Sequence, residues 1–243
     1  MSFSVQILHE DNCRNLAKRF PVFSFLEKSR VPFSERFLWE RNERITRSVD
    51  CIFLGKTGYG KSTTLNALVG KNVFKTSDTT ACTDKLFCAD FLISPKANTW
   101  FSLGDLPGVG ENITKDKKYI QWYSMYLSSC AAAVYILRAD QRDFSVDLNV
   151  LNKVIKITGI PLLIGLNYCD KIEPVNRQIP FAPTDQQQKN IIAKQKIIAE
   201  IFKLPTGDIV PFSAAADWNI DFLAKGIARK IRAAFRTNLA EKY

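Results

Sequence analysis

The segment IFLGKTGYGKSTTLNAL, residues 52–68, contains the octapeptide GKTGYGKS at positions 55–62. The octapeptide matches the P-loop pattern G-x-x-x-x-G-K-[ST], in which backbone N–H groups and a helix N-terminus surround phosphate. An apolar run precedes it and a helical pattern follows it, which is the strand–loop–helix context that the motif needs. A chance match in a Gly-rich turn is the alternative, and this context argues against it. We predict that a nucleotide contacts Gly55, Thr57, Gly58, Tyr59, Gly60, Lys61, Ser62 and Thr63.

The charge and the cysteine and histidine content of the chain limit the possible partners and types of site. The 243 residues carry 34 Lys and Arg against 24 Asp and Glu, and this net charge of +10 favours polyanionic partners: nucleotide, nucleic acid or acidic membrane. The six cysteines form no C-x-x-C pair, which argues against a zinc site and indicates a reducing compartment. The single histidine, His9, makes a His-based triad improbable. Apolar runs are too short to span a bilayer, so we expect a soluble cytoplasmic protein.

Further motifs follow at the ends of predicted strands. DLPG at 105–108 fits D-x-x-G, where Asp105 would hold Mg²⁺ through water and the Gly108 N–H would contact a γ-phosphate. NYCD at 167–170 fits N-x-x-D. The Asp170 carboxylate can accept hydrogen bonds from N1–H and the 2-amino group of guanine, a donor pair that adenine lacks.

The backbone N–H groups of Ser213 and Ala214 follow another predicted strand and would meet guanine O6. Each of these motifs alone usually marks an ordinary turn. Their order behind a P-loop, at the carboxyl ends of strands where open α/β sheets bind ligands, predicts a guanine-nucleotide site.

The chain resembles the TrmE–Era class of TRAFAC P-loop GTPases, and in particular the bacterial YeeP/YfjP group of Era-like GTPases. The resemblance covers the chain from about residue 47 and rests on the segments GKTGYGKSTTLNAL, SDTTACTD, DLPGVGE, ILRADQRDFSVD, LNYCDKIEP and VPFSA. It implies a switch that binds GTP and GDP with Mg²⁺ and hydrolyses GTP to GDP and phosphate.

The resemblance also implies a catalytic and metal-binding set. Lys61 would neutralise phosphate charge, Gly108 would sense the γ-phosphate, and Ser62 and Asp105 would hold Mg²⁺. Similar proteins close the Mg²⁺ shell with a threonine before an arginine. Thr83 matches that threonine, with Thr80 as the alternative, but Asp84 stands in place of the arginine.

Two departures from the family pattern affect the base and the metal. This chain has Tyr168 where the usual N-K-x-D motif has lysine, and Tyr168 would stack on the base. Lys171 follows Asp170 and is also predicted to contact the nucleotide. Gly58 stands where potassium-activated relatives have asparagine, so we do not expect potassium activation.

The fold predicted from strands that alternate with helices is a three-layer α/β/α P-loop NTPase with a mostly parallel six-stranded sheet. Residues 1–48 are predicted to form a helical extension packed on a GTP-binding domain of residues 49–243, with helices at 11–28, interrupted by Pro21, and at 34–47. Packing alone is favoured over a partner or membrane contact for this extension.

Hydrolysis is predicted to be slow. Ras-like enzymes orient the attacking water with a glutamine after the D-x-x-G glycine, and Val109 stands there instead. Thr57 adds crowding near the γ-phosphate, while Arg138 and Arg142 are interpreted as structural rather than catalytic. Turnover is expected to be faster only where a partner, a switch residue or a second copy positions the water. A second copy would dock on the nucleotide face as a homodimer.

Three functions remain open from the sequence. The first is a Mg²⁺-dependent GTPase switch. The second is a GTP-regulated interaction module with negligible hydrolysis, and the third, which Asn167 and Asp170 argue against, is an ATP-using enzyme such as a kinase. The C-terminal helix carries six basic residues: Lys225, Arg229, Lys230, Arg232, Arg236 and Lys242. RNA or an acidic membrane could contact them, but a basic face exposed to solvent is the favoured interpretation.

Overall fold

The structure is a computed structural model that describes residues 5–27, 38–41, 44–76, 85–110, 113–155, 158–176 and 178–240. Within these ranges the strands are β1 Val5–Asn12, β2 Leu38–Arg41, β3 Arg44–Leu54, β4 Leu86–Ser94, β5 Thr99–Asp105, β6 Ala132–Arg138, β7 Leu162–Asn167 and β8 Ile209–Pro211. The helices of the same ranges are α1 Cys13–Arg19, α2 Ser24–Glu27, α3 Lys61–Val69, α4 Ile113–Leu127, α5 Ser145–Val150, α6 Asp185–Phe202 and α7 Ile220–Ala240.

The strands form one mostly parallel sheet in the order β1-β4-β5-β3-β6-β7-β8, and β2 pairs with β3 outside this path. The β4–β5 and β2–β3 pairs are antiparallel. β3 and β6 lie in the middle and are apolar on both faces, from Cys51 to Leu54 and from Ala132 to Leu137, as buried parallel strands are. This arrangement confirms the predicted α/β P-loop fold.

Helices form a layer on each side of this sheet. On one side α3 contacts α7, which in turn contacts the 3₁₀ turn Pro21–Phe23. On the other side α4 contacts the π-helical turn Leu151–Ile155 after α5, and the Phe144 ring lies 5.9 Å from that of Phe202 at the end of α6. The carboxyl ends of β3, β5, β6 and β7 lie at the same edge of the sheet, between the two helix layers.

The N-terminal region differs from the helical extension that the sequence predicts. α1, the 3₁₀ turn at Pro21 and α2 agree with an interrupted helix over 11–28. The helix at 34–47 is wrong for the described residues, because β2 pairs with the start of β3, Leu38 with Arg47. The paired segments LWER and RITR are only four residues long, and runs this short fit a strand period as well as a helical one.

The sheet is also wider than the six strands predicted, since β1 and β2 add to it. β1 joins the edge of the sheet by pairing in parallel with β4, from Val5 opposite Leu86 onward. Phe23 is buried, and its ring lies 5.5 Å from that of Phe101 on β5.

The division into an extension and a nucleotide-binding domain at residue 48 stays a prediction. None of the helices in the described ranges combines the length and apolar character needed to cross a bilayer.

Candidate nucleotide-binding site

The P-loop connects β3 to α3, as its motif predicts. Gly60 precedes the first residue of α3 with a left-handed backbone, φ 81°. A Cβ on Gly60 would lie 2.4 Å from Asn167 Nδ2, closer than two such atoms approach. Glycine is therefore required here by both backbone conformation and space, because the N-x-x-D loop packs directly on the P-loop.

Lys61 points into the loop. Its side chain is buried, and Nζ donates hydrogen bonds to the carbonyls of Gly55, at 3.2 Å, and Lys56, at 3.1 Å. The positive charge is thus held where the curled backbone would surround phosphate oxygens.

Ser62 and Asp105 meet across the space between α3 and β5. The Ser62 hydroxyl donates to Asp105 Oδ2 at 2.5 Å, and Asp105 is buried at the end of its strand. A hydroxyl and one carboxylate match the few oxygen ligands that proteins usually give Mg²⁺ beside substrate phosphates. The residues present therefore fit the predicted metal, although the metal role itself stays a prediction.

The D-x-x-G segment lies against the P-loop through its backbone. The Thr57 N–H donates to the Val109 carbonyl at 3.2 Å, and the Val109 N–H donates to the Gly55 carbonyl at 3.4 Å. A Cβ on Gly108 would lie 2.4 Å from Thr57 Oγ1, so only glycine allows this approach. The Val109 side chain is 1% exposed.

Asn167 joins the base-recognition motifs to the P-loop. Its Nδ2 donates to the Tyr59 carbonyl at 3.1 Å, and its Oδ1 accepts from the Ala214 N–H at 3.0 Å. Ser213 Oγ donates to Asp170 Oδ1 at 2.6 Å. The structure thus brings the P-loop, the N-x-x-D loop and the Ser213–Ala214 loop to one place.

Sequence comparison agrees with this geometry. Residues 50–168 match the family described as 50S ribosome-binding GTPase. The matched residues are just under half of the chain, and over them this chain is similar to that family. The Era-like resemblance stated from its motifs is confirmed.

Relatives match over a large part of this chain. YkfA of Escherichia coli strain K12 is 28% identical over 193 residues, which cover 79% of this chain and 65% of YkfA. YfjP of the same strain is 29% identical over 213 residues, 86% of this chain and 72% of YfjP. This chain therefore spans about two thirds of the length of these relatives.

Solved structures share the fold. An Era protein of Aquifex aeolicus bound to GDP and AlF₄⁻ superposes with a TM-score of 0.60 at 23% identity, covering 75% of this chain and 56% of that one. Toc33 of Arabidopsis thaliana superposes with a TM-score of 0.57 at 18% identity, covering 90% and 91%. At these identities the similarity concerns the fold alone.

The remaining predicted site residues lie on α3, on the 3₁₀ turn after β7 or outside the described residues. Thr63 is half-buried in the first turn of α3, and Lys171 is exposed at the end of the 3₁₀ turn Cys169–Lys171. Thr83 and its alternative Thr80 lie outside the described residues, as does Asp84. Arg138 pairs with Asp140 at 2.7 Å, and its interpretation as a structural rather than a catalytic residue stays a prediction.

Sequence reasoning missed a buried network that holds two P-loop side chains. Asp147 of α5 is fully buried and binds Lys56 Nζ at 3.1 Å, the Tyr135 hydroxyl at 3.0 Å and Gln141 Nε2 at 3.1 Å. The Tyr59 hydroxyl donates to Gln141 Oε1. The signal was the segment ILRADQRDFSVD, which carries the family resemblance and places an acidic residue on the inner face of α5.

Electrostatics in this network follow burial and charge. Burial is the largest effect on the pKa of Lys56 and lowers it, but the Tyr59 hydroxyl and the Asp147 charge outweigh it and raise the pKa above its ordinary value. Burial, and then the nearby Asp147 charge, hold the pKa of Tyr135 well above its ordinary value. Lys56 therefore stays protonated and Tyr135 stays a hydrogen-bond donor at neutral pH.

Proposed function

We propose that this protein binds GTP and GDP with Mg²⁺ and hydrolyses GTP slowly, as a molecular switch that a partner or dimerisation stimulates. The observation that carries the proposal is the position of Asn167, whose amide bonds both the P-loop carbonyl of Tyr59 and the N–H of Ala214. One side chain thereby aligns the phosphate-binding and base-binding loops.

Each group at the site has a matching task. The P-loop N–H groups and Lys61 offset the negative charge of the phosphates, while the Asp170 carboxylate accepts the two donors on the edge of guanine. Bound Mg²⁺ would supply further charge neutralisation beside Ser62 and Asp105. Phosphoryl transfer needs mainly such positioning and charge, so these residues suffice for a basal reaction.

Slow turnover is proposed from the residue after the D-x-x-G glycine. Val109 has no side-chain group that orients water, its side chain is buried, and its backbone is bonded to the P-loop. Thr57 Oγ1 lies where Gly108 approaches the loop and fills space beside the γ-phosphate position. We propose that a partner, a second copy or a switch residue then supplies the water-orienting group.

Competition binding tests the guanine site. We would measure displacement of a fluorescent GDP analogue by GDP, GTP and ATP from the wild type and from Asp170→Ala. Displacement by guanine nucleotides alone, weakened about 100-fold by the substitution, supports the proposal; loss of a charged pair of hydrogen bonds is worth about that much. Equal displacement by ATP would refute it.

The second candidate is a GTP-regulated interaction module with negligible hydrolysis. The buried, apolar side chain of Val109, which offers no group to orient water, favours this candidate. A homodimer through the nucleotide face would place a second copy at this site. A mass increase with GTP on a sizing column, without phosphate release, distinguishes this candidate from the first.

An anionic partner is proposed for α7. Lys225, Arg229, Arg232 and Arg236 are exposed at spacings of three and four residues, which place them along one face of the helix. The described helix contains one acidic residue, Asp221, which pairs with Lys225 at 3.1 Å. Binding of RNA, or of vesicles containing acidic lipid, that weakens steeply with salt and with Arg232→Gln/Arg236→Gln would support this surface; no binding of either would remove it.

A further inference from the structure

Tyr168 occupies the place of the N-K-x-D lysine and has a restricted position. Its backbone is left-handed, φ 64°, which is uncommon for a residue with a bulky side chain. Its hydroxyl donates to the Gly58 carbonyl of the P-loop at 3.3 Å. A Cβ on Gly60 would lie 3.5 Å from Tyr168 Cε2, so the ring edge lies directly over the loop.

Arg138 covers one face of this ring. Arg138 is the last residue of β6 and pairs in the sheet with Asn167, the residue before Tyr168. The guanidinium carbon lies 4.3 Å from the ring centroid, which is within range of a cation–π interaction.

Asp140 holds the guanidinium in this orientation. Arg138 Nε donates to Asp140 Oδ1 at 3.0 Å and Nη2 donates to Oδ2 at 2.7 Å, a two-point contact that fixes the plane of the group. The hydrogen bond to Arg138 is the main reason that the pKa of Asp140 is lowered, so the contact stays ionic at neutral pH.

We propose that Arg138, fixed by Asp140, positions Tyr168 as an aromatic surface that contacts the purine base of the bound nucleotide. The inference rests on the proposed function and deepens it. A lysine covers a base with a flexible aliphatic stem, whereas a ring held by a guanidinium on one face and by the P-loop carbonyl at its hydroxyl loses less entropy on binding. Arg138 and Asp140 act through Tyr168 and are positioning residues.

This arrangement predicts that Asp170 and Tyr168 contribute differently to binding of the base. Asp170 distinguishes guanine from other purines, because it accepts from the 2-amino group. Tyr168 contributes affinity that is indifferent to the 2-amino group, because every base has a π-face. Neither effect extends to a ligand without a base.

The experiment measures Kd by isothermal titration calorimetry for GDP, inosine diphosphate and inorganic pyrophosphate. Tyr168→Leu, which keeps bulk but removes the ring, is expected to weaken GDP and inosine diphosphate equally by about fivefold or more, and to leave pyrophosphate unchanged. Tyr168→Phe keeps the ring and is expected to retain GDP binding within about threefold, since it loses one neutral hydrogen bond. Asp170→Ala is expected to weaken GDP more than inosine diphosphate.

A coupling measurement tests the positioning role. Arg138→Gln is expected to weaken GDP by about threefold, the value of an exposed cation–π contact, and to have no further effect in the Tyr168→Leu background. Arg142→Gln is the matched control, because Arg142 is exposed in the same segment, and it should leave the Kd unchanged.

Three results would overturn the inference. They are an unchanged Kd for GDP in Tyr168→Leu, an equal loss for pyrophosphate, which would make the ring a brace of the P-loop only, and additive effects of Arg138→Gln and Tyr168→Leu. If the wild type binds pyrophosphate but neither diphosphate nucleotide, the proposed function fails as well, and that outcome is distinct from the other three.

Discussion

The two sides of the nucleotide site are held together by different means. On the base side, side chains bond across loops: the Asn167 amide to two backbones and Ser213 to Asp170. On the phosphate side, Ser62 bonds Asp105 through its side chain, but Gly108 and Val109 approach the P-loop through backbone contacts. The Val109 side chain is apolar and buried.

This difference separates binding from chemistry. Side chains that already bond one another are oriented before a ligand arrives, so the base side favours affinity and specificity. On the phosphate side the close packing depends on glycine, and Val109 has no polar side-chain group that could orient the attacking water. We therefore expect substitutions on the base side to change nucleotide affinity strongly, and substitution of Val109 to change turnover little.

Asn167→Ala is expected to have the largest effect. It leaves the Tyr59 carbonyl and the Ala214 N–H without their partner, which we expect to lower the free energy of unfolding by about 3 kcal/mol and to raise the Kd for GDP about 100-fold. Denaturant unfolding and GDP competition measure the two quantities.

Asn66→Ala is the matched control for that substitution. Asn66 is a buried asparagine outside the site, and it donates to the Phe74 carbonyl at 2.9 Å and accepts from the N–H groups of Val73 and Phe74. It should lose similar stability while the folded protein keeps its Kd for GDP. A comparable loss of affinity in both variants would mean that Asn167 acts through general stability.

The next largest effect is expected for Gly60→Ala, measured as its loss of stability relative to Gly58→Ala. Both glycines have similar left-handed backbones, φ 81° and 78°, but a Cβ meets Asn167 Nδ2 at 2.4 Å only at Gly60 and has open space at Gly58. The backbone cost is thus about 1 kcal/mol in each variant, and Gly60→Ala should lose about 2 kcal/mol more through displacement of Asn167. Nucleotide-free unfolding measures this; equal losses would show that the packing of Asn167 on the loop is unimportant.

Val109→Ala is expected to have the smallest effect on the reaction. The valine side chain offers no hydrogen bond, so the single-turnover rate of GTP hydrolysis should change by less than about threefold, although the cavity should lower stability by about 1 kcal/mol. A rate loss of a hundredfold would assign the Val109 side chain a part in catalysis that the structure does not suggest.

The sequence predicts the site better than it predicts the N-terminal region, and the reason is physical. A motif such as GKTGYGKS specifies backbone geometry within a few residues, so the strand, loop and helix follow locally. The pairing of β1 with β4 joins residues about 80 positions apart, and segments as short as LWER fit two periods equally. Tertiary pairing decides such cases.

The same distinction explains the residues that were missed. Asp147 and Asp140 acquire their roles through partners that the fold brings near: Lys56 and Tyr135 for Asp147, and the Arg138–Tyr168 pair for Asp140. Neither aspartate belongs to a short pattern of its own. Asn167, by contrast, was predicted because its motif fixes its spacing from Asp170.

Single-turnover hydrolysis of GTP with Mg²⁺, measured beside GDP affinity on the same purified protein, tests the central claim most directly. The account predicts specific GDP binding together with a rate on the order of 10⁻³ s⁻¹ or lower, the range of a GTPase without a supplied activating group. A rate above about 1 s⁻¹ from the isolated protein would contradict it, because the phosphate side would then contain a water-orienting group that the structure does not reveal.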